Sequence, residues 1–199
     1  SLQDTLYGLM LASGNDAAVA IAGECGGMTA FVGKMNAKAA ELGLTDTHFD
    51  NPNGLPSDTH YTTAHELAKI TAAALKDPVF RQIVSTKSCT VSGHALSNHN
   101  RLLSMYDGAI GVKTGFTRAA GRCLVSAAER NGRTIIAGTL NDPNDWNDHR
   151  EMLDAGFAQY SEVTLHKAGD TIANARVFGG DTASVPLAAK NTVTAYLLP

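Results

Sequence analysis

The 199-residue sequence is short of several features that would narrow its class at once. Its three cysteines (Cys25, Cys89 and Cys123) are spaced neither as close pairs nor as metal ligands, so they predict no disulfide framework and no zinc site. The longest apolar stretches, 9–12 and 17–22, are far too short to span a bilayer. The formal charge is −3 and Lys and Arg form no run, which argues against nucleic acid as a partner.

A hydrophobic content of 44% is enough to bury a full core. Apolar residues at helical spacing predict helices in the first part of the chain, at 2–12, 17–22, 29–42, 64–75 and 78–84. Strand patterns follow at 88–92, 109–116, 122–129 and 133–140, with the dipeptide Asn131-Gly132 predicting a hairpin turn. An acidic loop, a helix at 149–160 and short apolar runs complete the chain. We therefore expect an α+β fold, with a first domain over 1–162 and the start of a small β-rich domain over 163–199.

The tripeptide Lys113-Thr114-Gly115 carries the clearest chemistry, because it lies on one of the predicted strands. The ammonium supplies positive charge, the hydroxyl supplies a directed hydrogen bond, and the glycine leaves room for a ligand to approach. Together they favour recognition of an anion. Ser13-Gly14-Asn15 lies 113 − 13 = 100 residues upstream, between two predicted helices. Taken alone, this tripeptide could be a simple turn, because Ser, Gly and Asn all favour turns.

The pair resembles two of the three motifs of the serine penicillin-recognising enzymes, which are Ser-x-x-Lys, Ser-Asp-Asn and Lys-Thr-Gly. Glycine at position 14, in place of aspartate, is usual in the D-alanyl-D-alanine carboxypeptidase branch. Further segments match that branch over about residues 1–162, and the rest of the chain matches it weakly. These segments are Leu9-Met10-Leu11-Ala12 before Ser13, His48-Phe49 with Asn51 and Gly54-Leu55, Tyr61-Thr62-Thr63-Ala64, Asn98 with Asn100 and Leu102-Leu103, and Phe116-Thr117 after the glycine.

The resemblance implies a β-lactamase/transpeptidase-like fold, an antiparallel sheet flanked by helices, and an acyl-transfer reaction. Ser13 would relay a proton to the leaving amine, and Asn15 would hold a substrate carbonyl. Lys113 would support this relay electrostatically. A D-Ala-D-Ala carboxypeptidase of this kind trims peptidoglycan stem peptides and is acylated by β-lactams, outside the cytoplasmic membrane and in the cell envelope. The resemblance implies no cofactor and no metal.

The remaining residues that the resemblance assigns would bind substrate. Thr114 would hold the terminal carboxylate of D-alanine beside Gly115, and a backbone N–H at Phe116 or Thr117 would form half of the oxyanion hole. Arg150 would help to neutralise the same carboxylate, although a surface helix residue is the alternative interpretation.

One departure from the family pattern concerns the nucleophile, because no serine in this sequence is followed by lysine three residues later. The catalytic serine is therefore expected on an N-terminal segment of the same protein that is missing here, and the fold would lack the strands and helix of that segment. A non-catalytic peptidoglycan-binding protein is the alternative. A class A β-lactamase would also need a glutamate in a Glu-x-x-x-Asn loop, and no glutamate in the chain has that spacing.

The sequence favours neither of two kinds of metal site. His65-Glu66 lacks the second histidine of a zinc protease, and the histidines elsewhere show no convincing metal spacing. The acidic loop could hold a cation through Asp142, Asn144, Asp145 and Asp148, but we expect a solvated acidic turn there.

Overall fold

Three helices open the chain in the computed structural model, which describes residues 1–197. They are α1 (Leu2–Ala12), α2 (Asn15–Glu24) and α3 (Met28–Glu41). Ser1 caps α1, because its hydroxyl accepts from the Asp4 N–H while the Asp4 carboxylate accepts from the amino terminus. The turn before α3 uses Gly26 and Gly27, whose φ angles of 104° and 92° favour glycine. The predicted helices at 2–12 and 29–42 are confirmed to within one residue.

The next two helices are α4 (Ala64–Ala74) and α5 (Pro78–Ser85). Thr63 caps α4 by accepting a hydrogen bond from the Glu66 N–H at 3.1 Å. Among the described contacts, Glu66 does not complete a capping box with Thr63, because its buried carboxylate turns to the preceding loop. There it accepts from the N–H groups of Thr45 and Asp46 and from the hydroxyl of Thr47. Glu66 therefore ties the 45–47 loop to α4.

The strand region begins with a hairpin of β1 (Ser88–Val91) and β2 (His94–Ser97), followed by the short helix α6 (Leu102–Met105). The sequence patterns predicted β1 but neither β2 nor α6. The main antiparallel sheet has the order β3-β4-β5 and consists of β3 (Ala109–Thr117), β4 (Gly121–Arg130) and β5 (Arg133–Thr139). Asn131 and Gly132 form the predicted two-residue turn, with φ angles of 52° and 73°.

Helix α5 contacts β3, α4 contacts β4 and β5, and α1 contacts α5 and the β1–β2 hairpin. The core lies between these helices and the sheet. Val84 of α5, Val112 of β3 and Ala127 of β4 form a fully buried cluster. A side chain at Gly111 would place its Cβ 2.9 Å from Val84 Cγ2, so close packing here requires glycine. The α+β class and the antiparallel sheet flanked by helices are thus confirmed. Within residues 1–197, no helix is long and apolar enough to cross a membrane.

Helix α7 (Asp145–Gln159) begins four residues before its predicted start at 149, so the prediction of a loop over 145–148 was wrong. The reason is electrostatic. Asp145 and Asp148 lie in the first helical turn, where the positive end of the helix dipole favours carboxylates. Asp145 is also paired with Arg122 rather than exposed to solvent.

The chain divides into two compact units, one over Ser1–Leu153 and the other from Asp154 onward. The second unit contains two antiparallel pairs, β6 with β9 and β7 with β8. Their bounds are β6 (Ser161–His166), β7 (Thr171–Arg176), β8 (Ser184–Ala188) and β9 (Val193–Leu197). Most side chains of these strands are exposed. The predicted domain boundary after residue 162 stays a prediction. Residues 198 and 199 of the expected second domain lie outside the described residues.

Candidate active site

Ser13 lies at the junction where α1 ends and α2 is about to begin. Its backbone is left-handed, with φ 55° and ψ 40°, a conformation that is costly for a residue with a side chain. The chain turns tightly here because Gly14 follows. A Cβ at Gly14 would lie 3.2 Å from the Ala17 Cβ and 3.4 Å from the Gly8 carbonyl oxygen. The Gly14 N–H also closes α1 by donating to that carbonyl at 3.2 Å. This turn fixes the position from which the Ser13 side chain leaves the helix pair.

Lys113, on β3, contacts Ser13 directly. Its Nζ donates to the Ser13 Oγ and also to the Thr114 backbone carbonyl, the latter at 2.6 Å. Burial lowers the pKa of Lys113 from 10.5 to about 8, because the charged ammonium is removed from water. No carboxylate within residues 1–197 forms an ion pair with it. At pH 7 a pKa of about 8 leaves roughly a tenth of the amines neutral. Near physiological pH, Lys113 can therefore give up a proton and take one up again.

The strand that carries Lys113 pairs with β4 along one side, and no other strand among residues 1–197 pairs with its second side. Gly115 and Phe116 are exposed on it, and Phe116 keeps 70% of its surface accessible. The Thr117 hydroxyl accepts a hydrogen bond from the Ala120 N–H at 2.9 Å, which stabilises the turn into β4. An unpaired strand edge of this kind can bind an extended peptide by backbone hydrogen bonds.

Asn15 is the first residue of α2 and is exposed. It lies two residues from the Ser13 hydroxyl, and the described contacts include no hydrogen bond from its side chain. The structure thus brings Ser13, Lys113 and Thr114 into one connected group, with Asn15 beside it and Gly115, Phe116 and Thr117 continuing along the strand edge.

Comparison with known proteins identifies the family of this chain. A sequence profile of the family described as D-alanyl-D-alanine carboxypeptidase matches residues 1–144. The chain belongs to this carboxypeptidase family. The D-alanyl-D-alanine carboxypeptidase of Streptomyces sp. strain K15 is 40% identical over 178 residues, which cover 79% of this chain and 61% of that protein. The DacB2 carboxypeptidase of Mycobacterium tuberculosis is 42% identical over 172 residues, which cover 80% and 59% of the two chains.

Solved structures agree with this assignment. A mutant of the Streptomyces K15 DD-transpeptidase superposes with a TM-score of 0.76 at 40% identity, covering 79% of this chain and 68% of that one. The D-alanyl-D-alanine carboxypeptidase structure from M. tuberculosis H37Rv gives a TM-score of 0.74, also at 40% identity, over 79% and 64% of the two chains. The chain spans about three fifths of the length of the two curated relatives described above.

Arg150, which the family resemblance assigns to the substrate carboxylate, is exposed on α7. No hydrogen bond or ion pair among residues 1–197 joins it to Ser13, Lys113 or Thr114. Its role stays a prediction.

Sequence reasoning missed Arg122, which lies directly opposite Phe116 in the β3–β4 register. Its guanidinium donates to both carboxylate oxygens of the buried Asp145, at 2.8 and 2.9 Å, and lies 5.5 Å from the centre of the Trp146 ring. These contacts fix the start of α7 next to the exposed end of β3. The only signal in the sequence was the position of Arg122 just after the turn that follows Lys-Thr-Gly.

A second missed residue is His149, whose side chain is fully buried. One ring nitrogen is 2.6 Å from the Ser126 hydroxyl on β4, and the other is 3.0 Å from the Thr139 hydroxyl at the end of β5. Burial lowers its pKa, although the carboxylates of Asp145, Asp142 and Asp148 oppose this shift. The neutral ring thus joins α7 to two strands of the sheet, one turn after the contact made by Arg122.

Over the described part of the chain, no group of three or more His, Cys, Asp or Glu side chains is arranged to hold a metal ion. In the acidic segment, Asp145 is paired with Arg122, and Asp148 accepts from the Asn144 side chain at 2.6 Å.

Proposed function

We propose that this chain forms most of the catalytic domain of a serine-type D-Ala-D-Ala carboxypeptidase, which removes the terminal D-alanine from peptidoglycan stem peptides. The observation that carries the proposal is the contact of the Lys113 ammonium with the Ser13 hydroxyl, at the free edge of a strand. The names of the relatives from Streptomyces and M. tuberculosis support the same substrate class.

The reaction needs a serine nucleophile, a proton relay and a site for the developing oxyanion. The nucleophile's oxygen bonds to the carbonyl carbon, its hydroxyl proton passes to the lysine of the same Ser-x-x-Lys motif, and the bond from that carbon to the nitrogen of D-alanine breaks. Ser13 donates a proton to the leaving amine and is reprotonated by the Lys113 ammonium, which contacts it. Water then hydrolyses the acyl-serine. A β-lactam would acylate the same serine by presenting a strained amide at the same position.

Substrate binding is assigned to the strand edge. Thr114 would hold the terminal carboxylate, and Gly115 would let the peptide approach the backbone closely. The N–H of Phe116 or Thr117 would face the oxyanion. Arg150 would add positive charge at the carboxylate, and the Asn15 amide on the opposite side would bind a backbone carbonyl of the stem peptide.

The nucleophile itself is assigned to a preceding segment of the same protein, because no Ser-x-x-Lys occurs in these 199 residues. In the cell, the enzyme would act in the envelope, where peptidoglycan lies. The missing motif also favours a second candidate, a peptidoglycan-binding protein without catalysis. A class A β-lactamase is disfavoured because no glutamate has the Glu-x-x-x-Asn spacing.

Labelled penicillin, followed by mass spectrometry of the protein at its natural length, separates these functions. We expect a covalent label on a serine that precedes residue 1. Lys113→Ala should slow acylation by about 10²- to 10³-fold, the usual cost of removing one transition-state donor. Lys76→Ala is the matched control, since Lys76 is exposed and follows the end of α4 rather than lying on β3. Absence of label on the natural-length protein would establish the non-catalytic alternative, and unchanged acylation of Lys113→Ala would refute the role of Lys113.

A further inference from the structure

A cavity of about 260 Å³ lies between the start of the β1–β2 hairpin and α6. None of the residues assigned to catalysis or substrate binding lines it. Lys87 and Arg101 supply two positive charges to its wall, and its lining contains no acidic residue. Both cations are exposed, and neither forms an ion pair with a carboxylate within residues 1–197. The charge of this cavity is therefore positive and not neutralised by the surrounding protein.

The wall of the cavity is fixed by a series of amide hydrogen bonds. The Asn98 side chain donates to the carbonyls of Val84 and Thr86, at 3.2 and 3.0 Å. Its oxygen accepts from the Asn100 N–H at 2.9 Å. The Asn100 oxygen in turn accepts from the Leu102 N–H at 3.1 Å. All the hydrogen-bonding groups of the Asn98 amide are in use, so Asn98 serves to orient Asn100.

Asn100 is the most deeply buried of the lining residues, with 2% of its surface accessible, and its Nδ2 has no hydrogen-bond partner among the described residues. The assignment of nitrogen and oxygen is decided by the Leu102 N–H, because only the oxygen can accept from it. A buried amide donor without an acceptor is unfavourable and rare in folded proteins. Asn100 lines the cavity, but its Nδ2 is covered, so an acceptor in the cavity would reach this nitrogen only after a small movement of the wall.

Two further groups suit the same ligand. The Arg101 guanidinium is held 5.9 Å from the centre of the Trp146 ring, which restricts it without neutralising its charge. Ser104 lines the cavity, and the described contacts leave its hydroxyl unused. Two cations, a hydroxyl and a buried amide N–H form a donor set typical of sites for oxyanions.

We propose that this cavity is an oxyanion-binding site, for a carboxylate or a phosphate monoester. Its ligand would contact the 98–100 segment, in which the His99 N–H donates to the Leu11 carbonyl at 3.2 Å, two residues before Ser13. The proposal does not depend on the proposed carboxypeptidase activity, because it concerns binding at different side chains.

The test is calorimetric titration of the natural-length protein with inorganic phosphate and, separately, with acetate, at constant ionic strength maintained with chloride. We expect saturable binding of one anion per chain, and the anion that binds more tightly identifies the ligand class. Removing both cations in Lys87→Gln/Arg101→Gln should weaken binding at least about tenfold, equivalent to about 1.4 kcal/mol. Lys76→Gln/Arg118→Gln removes two exposed charges elsewhere and should leave affinity unchanged.

Asn100→Asp tests the amide donor specifically. One carboxylate oxygen can still accept from the Leu102 N–H, while the other replaces the donor by a negative charge, so we expect binding to be lost. Three results would overturn the proposal: no saturable binding of either anion, equal weakening in the two double variants, or wild-type affinity in a folded Asn100→Asp protein. The double variants decide the matter even if Asn100→Asp fails to fold.

Discussion

Replacing Lys113 by methionine should make the folded protein more stable at pH 7 while removing the proposed proton relay. The pKa of Lys113 falls from 10.5 to about 8, a difference of 10.5 − 8 = 2.5, because the ammonium is largely buried. At about 1.4 kcal/mol per pKa unit, keeping this charge in the folded protein costs up to about 3.5 kcal/mol. The side chain is still partly exposed, and its hydrogen bonds to Ser13 and Thr114 return about 1 kcal/mol. We therefore expect Lys113→Met to raise the free energy of unfolding by about 1–2 kcal/mol.

The dependence on pH distinguishes this explanation from a simple gain in packing. Between pH 8 and 10.5 the unfolded chain holds the lysine proton and the folded chain does not, so the unfolded state binds more protons. The free energy of unfolding of the wild-type protein should therefore rise with pH over this window relative to Lys113→Met, and the advantage of the variant should disappear. Below pH 8 the advantage should be constant.

The assay is urea unfolding of wild type, Lys113→Met and Lys76→Met at half-unit intervals from pH 7 to 10.5. Lys76→Met is the control for loss of an exposed lysine and should change stability little at any pH. A Lys113→Met protein that is less stable than wild type at pH 7 would refute the reasoning. So would a difference from wild type that does not vary above pH 8.

Three other substitutions test contacts that hold the fold around the site. Glu66→Gln should lower the urea midpoint more than Glu41→Gln at the surface does, because a neutral amide replaces the carboxylate acceptor of the 45–47 loop. An effect no larger than that of Glu41→Gln would contradict this. Because burial lowers the pKa of His149, the unfolded state binds more protons as pH falls below 6.5, and stability should decrease there. His149→Gln should show a smaller acid-induced loss, and an identical pH profile would refute the assignment. Asn131→Ala, at φ 52° in the β4–β5 turn, should lower the thermal midpoint by a few degrees, for about 1 kcal/mol lost; no change would show that the turn adapts.

Local patterns were sufficient to predict much of the fold. The Asn131-Gly132 turn and the helix starting after Thr63 each depend on residues within a few positions of one another. The Lys-Thr-Gly strand was also recognisable, because apolar residues and glycines flank it. These features needed no information about distant parts of the chain.

The parts that were missed depend on contacts between distant residues. The start of α7 could not be placed, because Asp145 and Asp148 look like loop residues until Arg122 is known to lie beside Asp145. The sequence around His149 carries no signal of its contacts, because only folding brings it between the hydroxyls of Ser126 and Thr139. Strand β2 was missed because its four residues are mostly exposed and acquire their conformation by pairing with β1.

The contact between Ser13 and Lys113 is determined entirely by elements of the first unit. The left-handed turn at Ser13 is fixed by α1 and Gly14, and Lys113 is fixed by the pairing of β3 with β4. Neither arrangement needs the segment that we propose to carry the nucleophile. The contact between Ser13 and Lys113 should therefore form without the proposed nucleophile segment. The free-energy cost of burying the lysine should then be the same whether or not the proposed nucleophile is acylated. A rise in the stability of the wild-type protein between pH 8 and 10.5 that is the same with and without penicillin would agree with this, whereas a rise confined to one of the two would mean that the nucleophile's segment helps to bury the lysine.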